Sequence, residues 1–130
     1  MTARFEGQGA IVTGAARGIG LGIARRLAEE GARVALWDLD FAAFEGAAAG
    51  FEPALKQEVD VSDLASVERG FAASLAVLGQ VDILVNNAGI NGPVETSWNY
   101  PVEAWHKVLA VDLTSVFYCC RTVVPHMRER

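Results

Sequence analysis

A glycine-rich run, Thr13-Gly14-Ala15-Ala16-Arg17-Gly18-Ile19-Gly20, constrains this chain more than any other stretch. It follows a short apolar segment, Ala10-Ile11-Val12, and opens an amphipathic one, Leu21 to Glu30. A buried strand, a tight turn and a helix start therefore occur in the order that a dinucleotide-binding turn requires. Gly14 permits the turn off the strand. Gly18 lets the backbone approach a pyrophosphate with no Cβ between them, and Gly20 lets the helix pack closely on the sheet. Ala16, Arg17 and Ile19 complete the set facing the anion, where the unsatisfied N–H groups of the first helical turn add the positive end of the helix dipole. The glycines are separated by three residues and then one, not by the one and then two of the commonest fingerprint.

The rest of the chain repeats the strand–helix alternation. Strands are predicted over about 9–12, 33–37, 54–59 and 81–86, the second and fourth reading as nearly continuous apolar runs, as buried parallel strands do. The first helix is predicted over 18–30, with Ile19, Ile23 and Leu27 on its apolar face and Gly31 just past its end. A weak helix follows over 42–49. A third, capped by Ser62, carries Leu64, Val67, Phe71, Leu75 and Leu78 and closes at Gly79. After a loop over 87–100, Pro101 opens one long helix to about Met127, with a stripe of Trp105, Leu109, Asp112, Val116, Cys120, Val123 and Met127. Such βαβ units with right-handed crossovers predict an α/β domain over 1–130: a Rossmann-type, doubly wound parallel sheet of order 3-2-1-4.

Composition narrows the function classes. The 130 residues are 52% hydrophobic and 21% charged, which suits one globular domain. A net charge of −5 without a basic cluster argues against nucleic acid as a partner. No apolar run approaches a membrane span, and Met1 to Gly7 shows no leader pattern, so a cytoplasmic protein without a membrane partner is expected. Cys119 and Cys120 are adjacent in a helical segment and point apart there, which suits neither a disulfide nor a metal pair. His106 and His126 read as ordinary surface or edge residues, and no metal site is expected.

Asp38 stands at the tip of the second strand, 18 residues after Gly20. A carboxylate there can accept both ribose hydroxyls of the adenosine half of NAD. Asp40 reads instead as a solvated loop acid. With these residues in place, the chain resembles the N-terminal half of the short-chain dehydrogenase/reductase (SDR) family. Four signatures carry the likeness in order and spacing: the 13–20 turn, Asp38, Asp60-Val61 and Asn86-Asn87-Ala88-Gly89. The resemblance implies that Asp60 and Val61 hold the adenine ring and that Asn87, Ala88 and Gly89 line the cofactor on its other side. It implies an NAD(P)-dependent oxidoreductase interconverting a secondary alcohol and a ketone, like a 3-oxoacyl reductase or a sugar or polyol dehydrogenase. Asn86-Asn87-Ala88-Gly89 argues against another Rossmann user such as a methyltransferase.

Two departures from the family pattern stand out. The family's catalytic asparagine in the long helix corresponds here to Asp112. On the expected apolar stripe an acid needs a partner, either as a buried structural carboxylate or as a catalytic-site group that orders water and supports an active-site lysine. The family's serine and tyrosine-x-x-x-lysine pair follow the next strand, and neither Tyr100 nor Tyr118 has a lysine four residues on. The chain is thus expected to be truncated before strand five and inactive alone, with strand four an exposed edge prone to self-association. The alternative is a non-catalytic fragment that binds a nucleotide or a partner chain. NAD is expected over NADP, because Asp38 opposes a 2′-phosphate; Arg17 favours one. A full-length form is expected to take a small ketone or alcohol and to be a homo-oligomer, dimer or tetramer, through the helix over 101–127.

Overall fold

A computed structural model describes residues 3–130; Met1 and Thr2, where the stretch read for a leader begins, lie outside the described residues. The chain runs β1 (Gly9–Thr13), α1 (Gly18–Glu29), β2 (Arg33–Asp38), α2 (Phe44–Ala47), β3 (Leu55–Glu58), α3 (Leu64–Leu78) and β4 (Ile83–Val85). After a loop holding a single 3-10 turn come α4 (Val102–Leu109), a π-helical turn (Ala110–Thr114) and α5 (Ser115–Arg128). The strands form one parallel sheet of order β3-β2-β1-β4, as the alternation predicts. The weak helix shrinks to one turn, and β3 and β4 are shorter than expected.

Alternation along the strands builds two cores. Ala10, Val12, Val34 and Leu36 face α1 and α2, where Leu21, Ala24 and Phe44 cover them. Ile11, Ala35 and Trp37 face the other way, onto Val67 and Leu78 of α3 and Cys119 and Val123 of α5. Gly70 makes that second layer possible: a Cβ there would lie 2.6 Å from Val59 Cγ2 and 3.4 Å from the Trp37 ring. Trp37 is fully buried, and its indole N–H donates to Ser74 Oγ at 2.9 Å, so its one polar atom is satisfied.

Several local expectations are corrected. Asp63, not Ser62, caps α3 by accepting from the Ala65 N–H at 3.3 Å, while the Ser62 hydroxyl donates to Asp60. Ile19 is 78% exposed, because α1 turns Gly20, Leu21 and Ala24 onto the sheet. Pro101 sits just before the helix, in extended geometry. The buried side of the long helix follows Val111, Ser115, Cys119 and Val123, one residue before the expected stripe until Val123. The wide turn at Ala110–Thr114 takes up an extra residue, so a regular 3.6-residue count fails across it. Trp105, Leu109, Leu113 and Phe117 are exposed as a result, and so is Asp112. The continuous helix Val102–Arg128 has 27 residues and is long and apolar enough by composition to cross a membrane, contrary to the expectation that no segment is. It packs on α3 and the sheet as the outer helix of a layered domain.

Charged groups tie the periphery down. Glu30, at the end of α1, is covered by Arg4 and Arg26, the latter at 2.6 Å. Hydrogen bonds from Arg4 and then Arg26 hold its pKa down to about 2. Phe5 N–H donates to the Glu30 carbonyl at 2.9 Å, so residues 4–7 are pinned across the helix end. At the start of β4, burial pushes Asp82 up, but hydrogen bonds from Arg130, the Gly9 N–H and Gln80 outweigh it and leave the acid below its ordinary pKa. His126 is half-buried rather than a plain surface residue: its Nε2 accepts from the Val81 N–H at 3.1 Å, and its ring meets Phe71 edge-on.

Candidate functional site

The sheet register sets the site. Thr13 pairs with Trp37, and Val12 pairs with Val85, so β1, β2 and β4 end at one level. Connections leave β1 toward β2 on one side, while β4 lies on the other. The crevice outside the carboxyl ends at such a reversal is where open α/β sheets bind ligands. Here it is a cavity of about 460 Å³.

Its lower wall is the glycine turn. Gly14 has φ +63, and a Cβ on it would fall 2.8 Å from Ala88 Cα, so conformation and space both demand glycine. Gly18 has φ +61, but its missing side chain would meet nothing within 4 Å; it faces open space. Gly20 is different again: a Cβ would lie 2.3 Å from the Gly14 carbonyl oxygen, so the helix closes directly on the turn. Arg17, the residue before α1, makes no side-chain cap, and no acid lies in the first turn. The N-terminus of this 12-residue helix therefore keeps its donors for a ligand. An open cradle, an uncapped helix and a glycine-only approach together fit a phosphate group.

The turn is braced from both sides. Ala15 N–H donates to the Trp37 carbonyl at 3.2 Å, and Ala16 N–H donates to Asp38 Oδ2 at 3.0 Å. Asp38 is thereby fixed at the crevice with Oδ1 taking the Asp40 N–H at 3.3 Å. Just past β4, the Asn87 amide donates to the carbonyls of Thr13 and Gly14, each at 3.1 Å. Thr13 Oγ1 accepts the N–H groups of Asn87 and Ala88 at 3.0 and 2.9 Å. Asn87 thus reaches the turn as well as the cavity.

Asp60 closes the far end. Its Oδ1 accepts the Ser62 N–H and hydroxyl at 3.0 and 2.6 Å, and its own N–H donates to Ser66 Oγ at 2.9 Å. Val61 beside it is buried. Asp112, in the π-helical turn, accepts the Ile90 N–H at 2.7 Å. It holds the Gly89–Ile90 segment to the helix and is not among the residues lining the cavity. Nearby Cys119 is fully buried, and burial pushes its thiol up to about 12, so it is an inert packing group.

The cavity brings together Gly14, Arg17, Gly18, Asp38, Asp60, Val61, Asn87, Ala88 and Gly89. Ala16, Ile19 and Gly20 are not on the lining; the Ile19 side chain is exposed and borders a separate groove with Arg4 and Phe5. The lining also includes residues that sequence reasoning missed: Ile90, Lys107 and Val111, together with Asp40, which was read as a solvated loop acid. Lys107 and Val111 are one helical turn apart, a spacing that would have revealed them had the buried side of the helix been placed correctly.

A family model described as short chain dehydrogenase matches residues 8–130. The chain is 43% identical over 126 residues to 2-dehydro-3-deoxy-L-rhamnonate dehydrogenase (NAD(+)) of Sphingomonas sp. (strain SKA58), covering 97% of this chain and 51% of that protein. It is 34% identical to meso-2,3-butanediol dehydrogenase of Serratia marcescens, over 95% of this chain and 50% of that one. Among solved structures, 3-ketoacyl-(acyl-carrier-protein) reductase from Brucella melitensis complexed with NADH superposes with a TM-score of 0.89 at 36% identity, over 96% of this chain and 52% of that one. The chain spans about half the length of these relatives.

Proposed function

The chain belongs to the short-chain dehydrogenase family, and from that premise we propose that its crevice binds NAD as the cofactor-binding half of an oxidoreductase acting on secondary alcohols and ketones. One observation carries the reading. The glycine turn, Asp38, Asp60-Val61 and Asn87–Gly89 converge from four separate segments on a single cavity at the reversal of the sheet. When bound, NAD would supply the hydride acceptor.

In this reading the turn and the free donors of α1 take the pyrophosphate, with Gly18 giving the room. Asp38 takes the adenosine ribose hydroxyls, and its fixed carboxylate disfavours the 2′-phosphate of NADP. Asp60 and Val61 hold the adenine. Asn87, Ala88 and Gly89 border the nicotinamide side, and Asp112 is a positioning residue that keeps Gly89–Ile90 in place. Tyr100 and Tyr118, the tyrosines available, have Ala104 and Thr122 where the family's lysine would stand. Names of the relatives point to substrates from hydroxy acids to polyols, which leaves the class at secondary alcohols and ketones. Self-association through the exposed face of the 102–128 helix completes the proposal.

Titration with NAD tests it, read by calorimetry. The wild type is expected to bind. Gly18→Val is expected to bind at least about tenfold more weakly, because its side chain projects into the phosphate cradle and its left-handed backbone is strained by roughly 1–3 kcal/mol. Equal binding by both proteins would remove the turn from the site.

A further inference from the structure

Five charged side chains line the crevice: Asp38, Asp40 and Asp60 against Arg17 and Lys107. The two cations come from different elements, Arg17 from the glycine turn and Lys107 from α4. Among the described residues neither makes an ion pair. Glu103 lies one turn before Lys107 on the same helix, in the order that favours pairing, yet the two are not bridged. Lys107 therefore stands at a mouth dominated by carboxylates, with its charge uncommitted. Each acid, by contrast, already accepts a hydrogen bond from its own loop or the turn: Asp38 from Ala16 and Asp40, Asp40 from Ala42, Asp60 from Ser62.

We propose that Lys107 is an affinity-determining contact for the phosphate groups of the bound nucleotide, supplied from α4 on the same cavity lining as the glycine turn. The proposal rests on the cofactor reading above. A phosphate diester carries charge that backbone N–H groups can orient but not neutralise, and three carboxylates on the same lining oppose its entry. Without Lys107 only Arg17 would offset them. An ammonium on a flexible stem suits this task, since it acts as a point charge without demanding bidentate geometry. The shared chemistry is phosphate. Its source is either the pyrophosphate common to NAD and NADP or the additional 2′-phosphate of NADP.

The test is calorimetric titration of NAD and NADP, with adenosine followed by NMR, into the wild type, Lys107→Gln and Lys107→Glu at low salt. Lys107 is exposed, so both variants are expected to fold, which circular dichroism checks. Losing one partly solvated charge contact is expected to weaken binding about threefold to fivefold in Lys107→Gln, and reversing the charge roughly tenfold or more. Adenosine, which has no phosphate, is expected to bind all three proteins alike. Equal losses for NAD and NADP assign the contact to the pyrophosphate; a loss confined to NADP assigns it to the 2′-phosphate. Unchanged affinities for both, or an equal loss for adenosine, would overturn the proposal. A wild type that binds neither dinucleotide would instead sink the cofactor reading itself, and this inference with it.

Discussion

Three glycines in one turn are glycine for three different reasons. Gly14 has a left-handed backbone and a neighbour 2.8 Å from where a Cβ would be; Gly18 has the backbone and the open space; Gly20 has only the close approach to Gly14. The spacing made all three legible from sequence, because a strand must end and a helix must begin within eight residues. Asp38 was legible for the same reason, since it ends the neighbouring strand. Its consequence is measurable. A carboxylate near 4 Å from a phosphate charge costs about 4 kcal/mol at an effective dielectric of 20, and solvent and Arg17 offset part of this. NADP is therefore expected to bind at least about tenfold more weakly than NAD, and Asp38→Asn to narrow the gap. Calorimetric dissociation constants for both cofactors and both proteins check it; tighter NADP binding by the wild type would mean that Asp38 does not meet the ribose. Asp112 was not legible. Its sequence neighbours place it on a buried stripe, and only the π-helical turn shows that it faces the loop and takes the Ile90 N–H.

At the scale of elements, hydrophobic period and glycine stops located the four strands and the α-helices of the described residues, and errors arose where the period changes or where capping choices compete. Ser62 and Asp63 are both good caps; Ser62 lost because its hydroxyl is drawn to Asp60. The long helix slipped by one residue because a π-helical turn leaves no mark in residue spacing alone. The end of α1 was read as a bare Gly31 stop, yet it carries a two-arginine lock on Glu30. Nothing in the local sequence pairs Arg4 with a residue 26 positions later. This lock has a pH signature. Glu30 has a folded pKa of about 2, below its ordinary 4.5, so its contribution is complete above about 4.5 and is lost as pH falls toward 2. Melting temperatures followed from pH 5 to pH 2.5 should show a smaller acid-induced fall in Glu30→Gln than in the wild type, and a lower starting value. Identical slopes would mean that the arginines do not hold this acid.

At the scale of the whole molecule, topology was the most legible property, since βαβ handedness leaves few ways to arrange four strands. What topology leaves open is which surfaces need a cover. Val102, Trp105, Leu113 and Phe117 are each more than half exposed along one helix, more apolar surface than a helix facing only water tends to carry. If this face associates, light scattering of the wild type should report a dimer or larger, and Leu113→Glu with Phe117→Glu should shift it to the monomer; a monomeric wild type would count against the assignment. The crevice can be tested more directly than any surface. With 130 residues, the chain suits residue-resolved NMR, and NAD can be added stepwise to the labelled protein. The account predicts saturable amide shifts concentrated at 14–20, 38–40, 60–61, 87–90 and 107–111, with the rest of the sheet little changed. Absent shifts, or shifts centred on the separate groove between Arg4, Phe5 and Ile23, would contradict it.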